Sequence, residues 1–289
     1  LGKLRLNYFF SLGKNYGSTS LGEDFSFFIR LYPGTYAAIV AFITQLFPKS
    51  FEVETLHIFN TFIGISTIFG ISKIARELFN KNIGYIVFVI SFFNPIFFGH
   101  MAISDRDLVW AFCNIWITYS LLKYFKQHEI SEKKNRIVIL LGILLGLGLS
   151  ARVSFFITLL PIFIFLLYDS FVLNKICKKR ISLKIFFKDI LISVSIAYFV
   201  LIAFWPEVYS NILTLPFKFS YESTQFFYGV PNGLINGVVY ETIAPPKNYI
   251  LVLLYYKLPE YFVISYLIFF LIFISKISDT AKASSKPKQ

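Results

Sequence analysis

The stretch Asn94-Pro-Ile-Phe-Phe-Gly-His-Met-Ala-Ile-Ser-Asp-Arg-Asp-Leu108 puts one histidine and three charged side chains into a short break between two long apolar runs. Ionised groups are costly inside a hydrocarbon layer, and a membrane chain that keeps a cluster of them at a break usually puts it to use. The flanking runs, near 82–99 and 107–124, approach the ~20 residues that cross a bilayer core as helix. Further runs of spanning length lie near 55–74, 153–172, 188–205 and 259–276. The break is therefore read as a loop between two crossings of an all-α, polytopic membrane protein.

Composition agrees. Of 289 residues, 56% are apolar, 20% aromatic and 15% charged, against roughly 25% charged in soluble domains. The net charge of +12 would suggest a polyanion partner in a soluble protein, but 18 of the 28 Lys and Arg fall in four places. These are Lys73 to Lys81, Lys123 to Arg136, Lys175 to Lys188 and the tail from Lys276, which together form one membrane face by the positive-inside rule. No nucleic-acid partner is needed to explain them. Cys113 lies in an apolar run, Cys177 in a basic loop, and the histidines at 57, 100 and 128 are scattered, so neither a disulfide nor a zinc constellation is expected.

Two short runs decide the topology. Run 137–150 lies between a basic loop and Arg152 and is counted as a crossing. Run 33–48 opens with Tyr32-Pro33-Gly34 and is read as a re-entrant or surface-lying hairpin, because a crossing there would separate the first polar stretch from the cluster at 100–107. The result is one membrane domain over 1–289: an external loop 1–54, transmembrane helices over 55–205, an external loop 206–258, a last span 259–276 and a disordered tail 277–289. Within the second loop, Tyr249 to Tyr256 reads as a short interfacial helix.

Each polar cluster has two readings. Asp105 and Asp107 either cap the helix that begins at Leu108 or, joined by His100 and Arg106, bind a metal, orient a sugar hydroxyl or act as acid or base. Arg152, at the turn between two runs, either snorkels to headgroups or holds a phosphate through its planar fork. Gly142, Gly146 and Gly148 read as close-packing residues between helices, their spacing and apolar context excluding a dinucleotide fingerprint. Glu241, Pro245-Pro246, Lys247 and Tyr249 make either a lid over a cavity or a loop anchored to headgroups, and Glu23-Asp24 reads as a solvated surface pair.

With these residues the chain resembles the GT-C superfamily of membrane glycosyltransferases, in the branch of dolichyl-phosphate-mannose protein mannosyltransferases and bacterial aminoarabinose transferases. Pro95, Gly99, His100 and Arg106-Asp107 stand where the branch has "P-x-x-x-G-H" followed by "K-D", and Gly146 to Arg152 matches its "G-L-x-L-x-x-R". Trp205-Pro206, Pro245 to Ile250 and Lys257-Leu258-Pro259-Glu260 are similar to its later stretches. The family's acidic pair in the first external loop has no counterpart. Asn7 to Lys14 resembles sequence just after that pair, and Glu23-Asp24 comes too late, so the resemblance implies a chain truncated at its start and inactive as it stands.

The resemblance implies a GT-C helix bundle in a bacterial inner or plasma membrane. It would move a sugar from a polyprenyl-phosphate donor to a lipid, glycan or protein acceptor on the non-cytoplasmic face. Asp107 and His100 are then the catalytic candidates, Arg152 and Arg106 the phosphate-binding ones, and Glu241, Lys247 and Tyr249 an acceptor lid. A divalent metal is compatible with this chemistry, with Asp107 as its ligand. The rival reading is a lipid-linked sugar flippase or another multi-pass transporter, against which stands the lack of an internal repeat.

Overall fold

The computed structural model describes residues 2–14, 30–31, 33–103, 105–126, 132–152, 154–173, 182–225, 232–235, 237–241 and 244–284. Glu23, Asp24, His128, Cys177 and the side chain of Asp105 lie outside the described part. The chain separates into two compact units, one of Leu1–Phe93 with Phe97–Phe227 and one of Asn94–Ile96 with Tyr228–Gln289. The fold is an all-α membrane bundle whose one sheet, among the described residues, is a two-stranded hairpin.

The first unit opens with α1 (Gly2–Phe10) and α2 (Thr35–Gln45), the latter an apolar helix of 11 residues. At 1.5 Å per residue α2 is too short to cross a bilayer. Helix α3 (Glu52–Leu78) carries Glu52 and Glu54 in its first turn and Arg76 in its last, matching the helix dipole at both ends. Asn80 caps α4 (Lys81–Phe92) by accepting the Ile83 amide at 3.0 Å. The expected run 82–99 is not one straight helix: it breaks at Phe93-Asn94, and α5 (Pro95–Met101) leaves at 67° to α4. Proline at the start of α5 has no amide hydrogen to continue the helix before it.

Helix α6 (Asp105–Lys126) lies inside the unit, packed on α3, α7 (Glu132–Ala151) and α8 (Phe155–Tyr168). It buries Val109, Cys113 and Ile117 against Leu141 and Leu144 of α7 and Phe155 and Leu159 of α8. Wrapped by neighbours, it does not need an apolar surface all round. Four described helices are long and apolar enough to cross a membrane, or six if each bent pair counts as one, and α6 is not among them despite its 22 residues. The run 107–124 forms this central helix, which carries Asn114, Thr118 and Ser120. Asn114 donates to the Thr158 hydroxyl on α8 at 2.9 Å.

Helix α9 (Leu183–Ile202) lies along α7, and the glycines make that approach close. A Cβ on Gly142 would come 2.7 Å from Ile196 Cβ, and one on Gly146 2.6 Å from Val200 Cβ. Small residues that let helix backbones meet are the usual basis of helix pairing in lipid. The outer faces carry Phe187, Leu191 and Phe199, all exposed as lipid-facing residues are. Beyond Trp205 come a 3-10 turn (Pro206–Val208) and α10 (Leu215–Gln225).

Basic residues gather at one end of this unit. Lys123 reaches Glu77 at 2.5 Å, and the buried Lys134 reaches Asp189 at 3.1 Å while the Tyr124 hydroxyl donates to the same carboxylate at 2.7 Å. The start of α3, the start of α6, the end of α7 and the end of α9 therefore lie at the opposite end. The second unit contains strands β1 (Asn232–Ile235) and β2 (Val238–Glu241), antiparallel with Asn232 opposite Glu241, then α11 (Tyr249–Lys257) and α12 (Glu260–Ser284). Helices α11 and α12 meet at 114°. Helix α12 continues to Ser284, past residue 277 where a disordered tail was expected to begin.

Candidate functional site

The end of the bundle opposite the basic loops is built around the first turn of α6. The turn before it is tied to α3, with the Ala102 carbonyl lying 2.8 Å from His57 Nδ1 and accepting the Asn60 side-chain amide at 3.4 Å. Asn60 is buried and in turn accepts the Tyr36 hydroxyl of α2 at 3.2 Å. These contacts fix where Arg106 and Asp107 emerge.

Arg152 follows the last residue of α7 but still donates its amide to the Gly148 carbonyl at 3.1 Å, and its own carbonyl accepts the Phe155 amide at 3.0 Å. The backbone of Arg152 is thus held between two helices. Phe155 is buried against Gly148, where a Cβ would lie 2.3 Å from its ring, and its centroid is 6.3 Å from that of Trp110. On this platform the Arg152 guanidinium lies over the Trp110 ring, 5.6 Å from its centroid, and its Nη2 is 2.8 Å from Asp107 Oδ1. Asp107 and Trp110 are three residues apart on one face of α6. The two residues that the sequence marks for acid and phosphate chemistry are therefore ion-paired to each other. Their side chains are 61% and 48% exposed, so the pair opens to solvent.

Arg106 turns a different way, lining a cavity of about 390 Å3 with Lys3, Tyr36, Thr44 and Glu52. Lys3 pairs with Glu52 at 2.5 Å, supplying a cation and an anion to one wall. Helix α1, which carries Lys3, is locked to the end of α9: buried Arg5 donates to the Phe204 carbonyl at 2.6 Å and lies 3.3 Å from Glu207 Oε1. Nearby, Trp205 donates its indole N–H to the Arg30 carbonyl at 3.0 Å. Burial, followed by the neighbouring Tyr8, pushes the Tyr209 hydroxyl up to about 12, so it remains a donor to the Ala203 carbonyl at 2.5 Å.

Residues 33–206 match the profile of the dolichyl-phosphate-mannose-protein mannosyltransferase family. The chain belongs to this family. It is accordingly a membrane glycosyltransferase of the GT-C kind. No curated protein and no solved structure matches it. The part matching the mannosyltransferase family runs from the start of α2 to Trp205-Pro206 and includes His100, Arg106, Asp107 and Arg152, whereas Glu241, Lys247 and Tyr249 fall beyond it.

The remaining expected residues of this mannosyltransferase-family chain lie on other elements. His100 is exposed on α5, and among the described residues no hydrogen bond or ion pair joins it to Asp107 or Arg152. Glu241 ends β2 and Lys247 is exposed before α11, while Tyr249 lies 5.7 Å from the Tyr240 ring; all belong to the second unit. No three His, Cys, Asp or Glu side chains among the described residues are grouped to hold a metal. Sequence reading missed Arg5, Lys3, Glu52, Trp110 and the His57–Asn60 tether. Trp110 had a usable signal, three residues after Asp107 on the same helix face; the others have partners tens to hundreds of residues away.

Proposed function

We propose that the protein transfers a glycosyl group from a polyprenyl-phosphate sugar to a lipid, glycan or protein acceptor, on the membrane face opposite the basic loops of a bacterial inner or plasma membrane. The observation that carries this reading is Arg152, held over Trp110 at the end of α7 within the family-matching stretch. In the reaction the acceptor oxygen bonds to the anomeric carbon as the bond from that carbon to the phosphate oxygen breaks. The acceptor proton passes to a base, and the lipid phosphate leaves with one more negative charge than it had as a diester. An always-charged planar fork suits an oxyanion that gains charge in the transition state. Arg106, which lines the cavity beside Lys3 and Glu52, is the second arginine of the family-matching stretch that we assign to the donor. His100, exposed before the turn that leads into α6, is the candidate base.

The test is transfer from a radiolabelled polyprenyl-phosphate sugar by full-length protein. Arg152→Ala is expected to lower kcat by about 10²–10³, the effect of losing one pre-oriented stabiliser of developing charge. Arg152→Lys keeps the charge without the fork and should fall between Ala and the parent. Parent rates in both variants at equal membrane abundance would remove Arg152 from the site. Movement of the lipid-linked sugar across vesicles without transfer to an acceptor would replace the reading with that of a transporter.

A further inference from the structure

Three described ion pairs contrast in how they are built. Arg5–Glu207 and Lys134–Asp189 are buried and carry further hydrogen bonds, as structural pairs do. Asp107–Arg152 is exposed on both sides, and exposed pairs contribute little and open easily. Its two halves are unequally held. Arg152 also lies over the Trp110 ring and has backbone bonds to Gly148 and Phe155, none of which involves Asp107. Its anionic partner is a side chain on a different helix.

We infer that Asp107 is an exchangeable counter-ion for Arg152, a stand-in for the lipid phosphate. It occupies the guanidinium in the resting protein and gives way when the phosphate of the donor arrives. After transfer it competes with the more highly charged product phosphate and so speeds product release. Asp107 is on this account a positioning residue, acting through Arg152. The inference rests on the reading of Arg152 as the phosphate clamp.

The experiment measures binding of undecaprenyl phosphate, with undecaprenol as the uncharged reference, to full-length protein in nanodiscs. Asp107→Asn keeps the side-chain shape but removes the competing charge. It should bind the phosphate about two- to five-fold tighter, the range set by an exposed ion pair, with undecaprenol unchanged. Turnover by this variant should be more sensitive to inhibition by added undecaprenyl phosphate. The gain should vanish in an Arg152→Ala background, because coupled residues are not additive. Unchanged or weaker binding by Asp107→Asn, with Arg152→Ala still weaker than the parent, would overturn the exchange while leaving the clamp. Parent-like binding by Arg152→Ala would overturn both.

Discussion

Arg5 and Glu207 show how much a single contact can decide at the scale of residues. Their side chains are 0% and 6% exposed and 202 positions apart, yet they lie within 3.3 Å of each other. Removing one member of such a pair leaves a buried charge without its counterpart, at a cost of about 3–5 kcal/mol. Glu207→Ala should therefore lower the thermal unfolding midpoint and the membrane abundance sharply. Replacing both residues with apolar ones of similar size, Arg5→Met with Glu207→Leu, should recover much of the loss. A single variant as stable as the parent would show that the pair does not hold α1. Nothing in either residue's neighbours announces this pairing, since a lone arginine near a chain start reads as surface charge. Asp107 and Arg152 were legible as residues, because charge at a break in an apolar pattern stands out. That they meet each other was not.

At the scale of elements, the pairing of α7 with α9 depends on two glycines at i, i+4. Gly146→Leu would press a branched side chain into Val200 and the Ala197 carbonyl, which a Cβ alone would already approach at 2.6 and 2.7 Å. Overpacking of this kind costs about 1–3 kcal/mol or displaces the helix. The expected outcome is less folded protein in the membrane and a lower unfolding midpoint, and a fully stable Gly146→Leu would refute the close approach. The glycine pattern was readable in advance because its spacing matches one helix face. The break in the run 82–99 was foreshadowed by Asn94-Pro95, but apolar length outweighed it. Helix α6 was legible as a helix of spanning length, whereas its being wrapped by α3, α7 and α8 was not.

For the whole molecule, the basic residues of α3, α6, α7 and α9 fall at one end of the first unit, as expected if that end faces the cytoplasm. Cys113 is fully buried, which leaves Cys177 in the basic loop as the thiol that a reagent reports. A membrane-impermeant maleimide should label the protein only after cells are permeabilised. Labelling of intact cells would reverse the orientation and move Arg152 and Asp107 to the cytoplasmic side, where the proposed donor chemistry would need a different supply of lipid-linked sugar.

The sequence by itself determined that this is a helical membrane protein, where charged residues break its apolar runs, and which family motifs those breaks resemble. Each of these follows from local patterns of hydropathy and charge, which lipid enforces residue by residue. Tertiary structure alone decided that Asp107 answers Arg152 over Trp110, that Arg106 faces a separate cavity beside Lys3 and Glu52, and that Arg5 is buried against Glu207. Those are encounters between side chains distant along the chain. They depend on how whole helices pack, which local pattern does not encode.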